Sequence, residues 1–154
     1  MPRLKGGVLV RARMLLALLV VAGMLVGLSG ASFAQTRREI HITMTSYKFD
    51  PNVFSVNEGD TVLLQLENID KERPHSFNSP YLSQVDFTVT GQSKQGVAKD
   101  GNKYVSLEPG EKTVITFVAK GRGQYGFICG FGTHASNGQT GAFVVWPAGY
   151  HISK

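Results

Sequence analysis

Residues 112–119 read KTVITFVA, a strongly β-branched run whose side chains alternate between two faces. Such a run fits a pleated, half-buried strand. Several further runs share its character. Residues 39–45 (EIHITMT) put Ile40, Ile42 and Met44 on one face, and Tyr47 and Phe49 keep the rhythm until Asp50-Pro51-Asn52 breaks it. Residues 53–56, 61–68 (TVLLQLEN), 85–90 (VDFTVT), 104–107, 125–129 and 141–146 complete the set. Turn-forming clusters at 57–60 (NEGD), 108–111 (EPGE) and 120–123 (KGRG) separate them. No helical period is visible after residue 35. About eight short strands at this spacing predict an all-β sandwich in a single domain covering residues 35–154. Residues 78–101 are the least regular part, a polar, glycine-bearing excursion that is a candidate for partner specificity.

The start of the chain is of another kind. Arg3, Lys5, Arg11 and Arg13 precede an apolar run at 14–28 (MLLALLVVAGMLVGL), and Ser32 and Ala34 stand at the −3 and −1 positions of a cut before Gln35. This is the plan of a secretory signal peptide. The apolar run is shorter than the ~20 residues a bilayer span needs. Residues 1–34 are therefore expected to direct export to the periplasm or the extracellular space. The alternative is an uncleaved anchor through residues 14–28, the one case in which a membrane would be a partner. The formal charge of +5 mostly belongs to this segment. It holds 4 of the 16 basic residues and none of the 11 acidic ones, so the remainder carries 12 basic against 11 acidic, or +1. A near-neutral domain gives no electrostatic footprint for nucleic acid.

Cys129 is the only cysteine, so no internal disulfide exists to stabilise the domain. Outside the cytoplasm a lone thiol is bridged to another chain, reactive, buried and inert, or bound to a metal. Metal ligation would protect it from oxidation. His134 follows five residues later, on a glycine-rich loop between two strand-like runs, YGFICGFGTHASNGQTGAFVVW. A soft thiolate and an imidazole on one loop suit a soft or borderline metal, copper above all. The candidates for a second imidazole upstream are His41 and His75. His75 follows Pro74 and opens a short apolar segment, placing it at a strand end, where a sandwich gathers its loops at one pole. His41 lies within a strand and His151 in the tail, and neither is given a role.

SYKFDP, NEGDTV, PHSF, EPGEKT and YGFICGFGTHASNGQTGAFVV, in this order across residues 40–146, resemble the cupredoxins, small type 1 copper proteins of the plastocyanin, azurin and stellacyanin kind. The resemblance implies a Greek-key β-sandwich binding one copper ion through His75, Cys129 and His134. Where the family usually has Gly-Met-x-Gly, this chain has Gly138-Gln139-Thr140-Gly141, so Gln139 takes the axial place, as in stellacyanins. An amide oxygen is a harder donor than a thioether and implies a lower reduction potential. Ser76 matches a position whose backbone donates a hydrogen bond to the metal-bound sulfur. Gly130, Phe131, Gly132, Ala135 and Gly138 surround His134 in sequence; Phe131 and Ala135 are expected in an apolar docking patch for redox proteins.

The function implied is single-electron transfer by a monomer that is not itself an enzyme. A copper-trafficking protein would carry Met- or His-rich tracts, yet Met44 is the only methionine after residue 34. A multicopper enzyme would need further histidine ligands, typically His-x-His pairs, and the chain has four histidines and no such pair. A binuclear copper site of the cytochrome oxidase kind would need a second cysteine. The remaining alternatives are a copper-binding or delivery protein, or a copper-free cupredoxin-like interaction module.

Overall fold

A computed structural model describes residues 35–150; the expected signal peptide and His151 lie outside the described residues. Eleven strands form two sheets among them, with one 3₁₀ turn and no α-helix. The strands are β1 (Arg37–Thr45), β2 (Lys48–Asp50), β3 (Val53–Asn57), β4 (Thr61–Asn68), β5 (His75–Asn78), β6 (Phe87–Gly91), β7 (Lys94–Val97), β8 (Lys103–Leu107), β9 (Lys112–Val118), β10 (Gly123–Ile128) and β11 (Thr140–Trp146). One sheet has the order β2-β1-β4-β9-β6 and the other β3-β11-β10-β5-β8-β7. Consecutive strands such as β4 and β5, β8 and β9, and β9 and β10 lie in opposite sheets, the interleaving of a Greek-key sandwich. The all-β expectation holds. The count of about eight was low because β2 has three residues, β5 (HSFN) is four residues buried throughout, and β7 (KQGV) carries no apolar alternation. β7 is a strand through its backbone pairing with β8 alone.

Alternation decides which face is buried. Along β4 every second residue, Val62, Leu64, Leu66 and Asn68, is buried. In β9 the buried set is Thr113, Ile115 and Phe117. Ile42 and Met44 of β1 join them, so Met44 is a core residue. The facing sheet contributes Phe54, Val56, Phe77, Val105, Leu107, Phe127, Phe143 and Val145. Phe127 stacks on Phe77 with centroids 4.6 Å apart and meets Phe49 edge-on at 5.0 Å. Such aromatic pairs contribute about 0.5–1.5 kcal/mol beyond the area they bury.

The irregular stretch 78–101 is more ordered than its composition suggests. The 3₁₀ turn at Pro80–Ser83 buries Tyr81 and Leu82, and Val85 is buried beside them. The Tyr81 hydroxyl donates to the Lys120 carbonyl at 3.0 Å and accepts from the Lys120 N–H at 2.9 Å, so both polar functions are paired. Part of this stretch therefore belongs to the core.

Two pairings place the functional loops. β5 runs antiparallel to β8, with His75 opposite Leu107, so His75 opens its strand as the sequence predicts. β10 pairs with β11 from Gly123↔Val145 to Ile128↔Thr140 but meets β5 only at Ile128↔Asn78. The second sheet parts just there. Cys129 lies one residue past the end of β10, beside the start of β5 and at the root of the loop leading to β11.

Candidate metal centre

His75, Cys129 and His134 converge at this pole, their ligand atoms all within 4.8 Å of one another. Cys129 Sγ is 3.4 Å from His134 Nδ1 and 3.9 Å from His75 Nδ1. His75 is fully buried, Cys129 is buried, and His134 is half-buried. The rings of the two histidines lie 5.0 Å apart. The 129–139 loop is held by its own backbone. Cys129 N–H donates to the Gln139 carbonyl at 3.1 Å and Gln139 N–H to the His134 carbonyl at 3.0 Å. His134 N–H donates to the Phe131 carbonyl at 2.9 Å, and Gly138 N–H to that of Ala135 at 3.0 Å. Gly132 and Gly138 have φ of 45° and 105°, left-handed values that let the loop turn twice in a few residues.

Gln139 has no exposed surface. Its Nε2–H donates to the Lys48 carbonyl at 3.4 Å, while its Oε1 is buried near the His134 ring and makes no hydrogen bond. A buried carbonyl oxygen left unpaired costs roughly 1–3 kcal/mol unless something outside the protein satisfies it. A thiolate, two imidazole nitrogens and an amide oxygen without a donor fit a soft or borderline transition metal.

Ser76 stands where the sulfur needs it. Its backbone N–H donates to Cys129 Sγ at 3.4 Å. Its hydroxyl lies 3.9 Å from the same sulfur and accepts the Gly130 N–H at 2.8 Å, tying β5 to the ligand loop. Burial opposes ionisation of Cys129, but the neighbouring His75 ring, the Phe131 N–H and Ser76 outweigh it, so the thiol titrates below its usual range. Burial, together with the charges of His75 and Arg73, pushes His134 downward and favours its neutral form. Neutral imidazole and thiolate are the protonation states a metal requires.

Sequence reasoning missed a group of residues around this cluster. Asp70, in the charged loop after β4, is buried, and its Oδ2 is 3.2 Å from His75 Nε2. Hydrogen bonds from the Glu72 N–H, the Ser46 hydroxyl, His75 and the Arg73 N–H hold its carboxyl well below the usual range. For His75, burial is outweighed by Cys129 and Asp70, and its value rises. The turn between β1 and β2 supplies the rest, one residue at a time. Ser46 bonds Asp70 at 2.8 Å, Tyr47 meets the His134 ring edge-on, and Lys48 offers the carbonyl that Gln139 uses. The SYKFDP motif was the one signal of this turn.

Phe131 is half-buried, packs against the core and lies 6.4 Å from the His134 ring, so it is both plug and rim; Ala135 is half-buried. Exposed Arg73 lies over the Tyr47 ring at 5.9 Å, adding a cation to a rim expected to be apolar. A groove of about 810 Å³ opens beside Ser76, Ile128, Gly130 and Phe131, its far wall including Val97 and Lys99 from the 78–101 stretch. His41 is an exposed strand residue paired with Glu67 at 3.2 Å, away from the cluster.

Residues 16–145 match the family model for the cupredoxin-like domain. Multicopper oxidases from Staphylococcus epidermidis and Staphylococcus aureus are each 32% identical to this chain, over 111 and 113 residues, covering 68% of it and 25% of their own length. The chain thus spans about a quarter of the length of these curated relatives. Among solved structures, an auracyanin from Roseiflexus castenholzii has a TM-score of 0.55 at 21% identity, covering 77% of this chain and 100% of its own. Auracyanin A from Chloroflexus aurantiacus, described as a "blue" copper protein, gives 0.53 at 19% identity, covering 71% and 98%. A multicopper oxidase from Campylobacter jejuni gives 0.52 at 12% identity, covering 77% of this chain and 31% of its own. At these identities the structures share a fold with this chain.

Proposed function

The chain belongs to the cupredoxin-like domain family, and on that premise we propose that it is an exported blue copper protein that passes single electrons between redox proteins. One copper ion would be held by His75 Nδ1, Cys129 Sγ and His134 Nδ1, with Gln139 Oε1 as a fourth donor. The observation that carries this reading is the convergence of three ligand atoms within 4.8 Å beside a buried amide oxygen that lacks a donor. When bound, copper supplies the exchange between Cu(II) and Cu(I). The protein's part is to keep the ligands still. His75 is fixed in a strand, the Cys129 sulfur receives the Ser76 N–H, and the 131–139 turns hold His134 and Gln139 through their backbone. A cage that changes little between oxidation states needs little reorganisation for each transfer.

His134 is the ligand that reaches the surface, with Phe131, Ala135 and Tyr47 around it, and this small face suits brief docking. Catalysis by the chain itself is not part of the proposal, because the further histidine pairs of a multicopper enzyme are missing from its sequence. Export rests on residues 1–34, and N-terminal sequencing of the protein recovered from the periplasm would check the cut before Gln35.

Optical and EPR spectra of the purified protein loaded with Cu(II) test the central claim. An intense visible thiolate-to-copper band with narrow copper hyperfine splitting is expected. A colourless protein that does not retain copper would overturn the ligand set and leave a cupredoxin-like interaction module.

A further inference from the structure

Asp70 divides its carboxylate between two tasks. Oδ1 accepts the backbone N–H groups of Glu72 at 3.0 Å and Arg73 at 3.2 Å, closing the loop that delivers the chain to His75. Oδ2 lies 3.2 Å from His75 Nε2 and accepts the Ser46 hydroxyl at 2.8 Å. The loop is braced from behind, because Asn68 Oδ1 accepts the Asp70 N–H at 3.0 Å. We propose that Asp70 is the positioning residue of the copper site, its Oδ2 fixing His75 as the Nε2–H tautomer and its buried charge favouring Cu(II) over Cu(I). This rests on the copper reading above.

A neutral imidazole has one N–H and one bare nitrogen. A carboxylate oxygen beside Nε2 is satisfied when Nε2 carries the proton, which leaves Nδ1 bare. Nδ1 is the atom that faces Cys129 Sγ at 3.9 Å. The ligand atom is thus selected before a metal arrives. Once it is bound, an anion donating through the ring raises the ligand's basicity. A fixed negative charge in a buried setting, paired only at the 4.0 Å limit with the exposed Arg73 guanidinium, also interacts more strongly with the more highly charged metal. Among the described hydrogen bonds, Asp70 supplies the one carboxylate that reaches an imidazole of the cluster.

Asp70→Asn removes the charge while keeping the shape. The two backbone N–H groups hold the amide oxygen in the Oδ1 place, so the amide nitrogen faces His75, donor against donor. Copper affinity is expected to fall about 10–100-fold, and the reduction potential to rise above that of the wild type. Glu39→Gln makes the same charge change on an exposed residue opposite Leu63, near the start of β4, and is expected to leave the potential where it was. A third measurement needs no variant. Nitrogen-15 NMR of the copper-free wild type, well above the imidazole range, is expected to find His75 protonated at Nε2. A blue wild type whose Asp70→Asn variant keeps both affinity and potential would overturn the role of Asp70. So would the Nδ1–H tautomer, which also decides the matter if the variant does not fold. A wild type without the thiolate band would instead fail the copper reading and take this inference with it.

Discussion

The Tyr47 ring stands edge-on to the His134 ring, centroids 5.3 Å apart and planes at 77°, on a residue whose own backbone is left-handed at φ 62°. A side chain other than glycine in that region costs about 1–2 kcal/mol. The neighbours show what offsets it. Ser46 and Lys48 are each tied to the site, and the ring between them is pinned over the half-exposed ligand. Tyr47→Phe keeps the ring and should leave thermal unfolding of the copper-free protein unchanged. Tyr47→Ala keeps the strain and loses the contact, at a cost of about 0.5–1.5 kcal/mol. Equal stabilities for the two variants would show that the ring contributes nothing.

Gln139→Met exchanges the amide oxygen of the proposed fourth donor for a softer thioether. The reduction potential measured by voltammetry should rise. An unchanged or lower value would remove Gln139 from coordination and leave its Oε1 unexplained.

Asn68 has no exposed surface and spends its whole side chain on the approach to the site. Its Nδ2 donates to the carbonyls of Arg73 at 2.9 Å and Leu107 at 3.0 Å, and its Oδ1 receives the Asp70 N–H. Asn68→Ala leaves three backbone groups short of a partner. A loss of about 1–3 kcal/mol is expected in chemical denaturation, with weaker copper retention because the loop carrying Asp70 is no longer braced. Unchanged stability would mean that water takes over all three bonds.

Acid should unfold the copper-free protein partly through Asp70. Its folded-state value lies below the ordinary 3.8, so the ionised carboxylate stabilises the fold above that value, and the contribution is lost as pH falls. Asp70's contribution to the melting temperature should hold steady down to about pH 4 and then drop. Asp70→Asn, which has no proton to gain, should start lower and fall less steeply. Parallel curves for the two proteins would assign the acid sensitivity to other carboxylates.

The parts of the site that were legible in the sequence are those whose chemistry is carried by residue type. Cys129 and His75 are scarce residues at strand ends, His134 is another on the glycine-rich loop, and Gln139 occupies a recognisable place between two glycines. Asp70 was not legible. In the run IDKER it reads as one more solvated charge, and it is buried because the β1–β2 turn folds over it from residues more than twenty positions away. Tyr47 read as the continuation of a strand, whereas its backbone is the left-handed corner between two of them. For the fold, the alternating runs gave strands at nearly their observed bounds. β7 escaped because an edge strand with both faces largely exposed leaves no hydrophobic period to read. Tyr81 and Leu82 were overlooked as core because a single 3₁₀ turn is too short to show one either.

On the proposed function, the unequal burial of the two histidines would set the traffic of the molecule. With His75 sealed inside and His134 reaching the surface, the proposed carrier has a single doorway. A donor and an acceptor must then take turns at the same few side chains, and one must leave before the other can arrive. A long-lived complex with either would stall the relay, so the throughput of such a protein is governed by how readily it lets go.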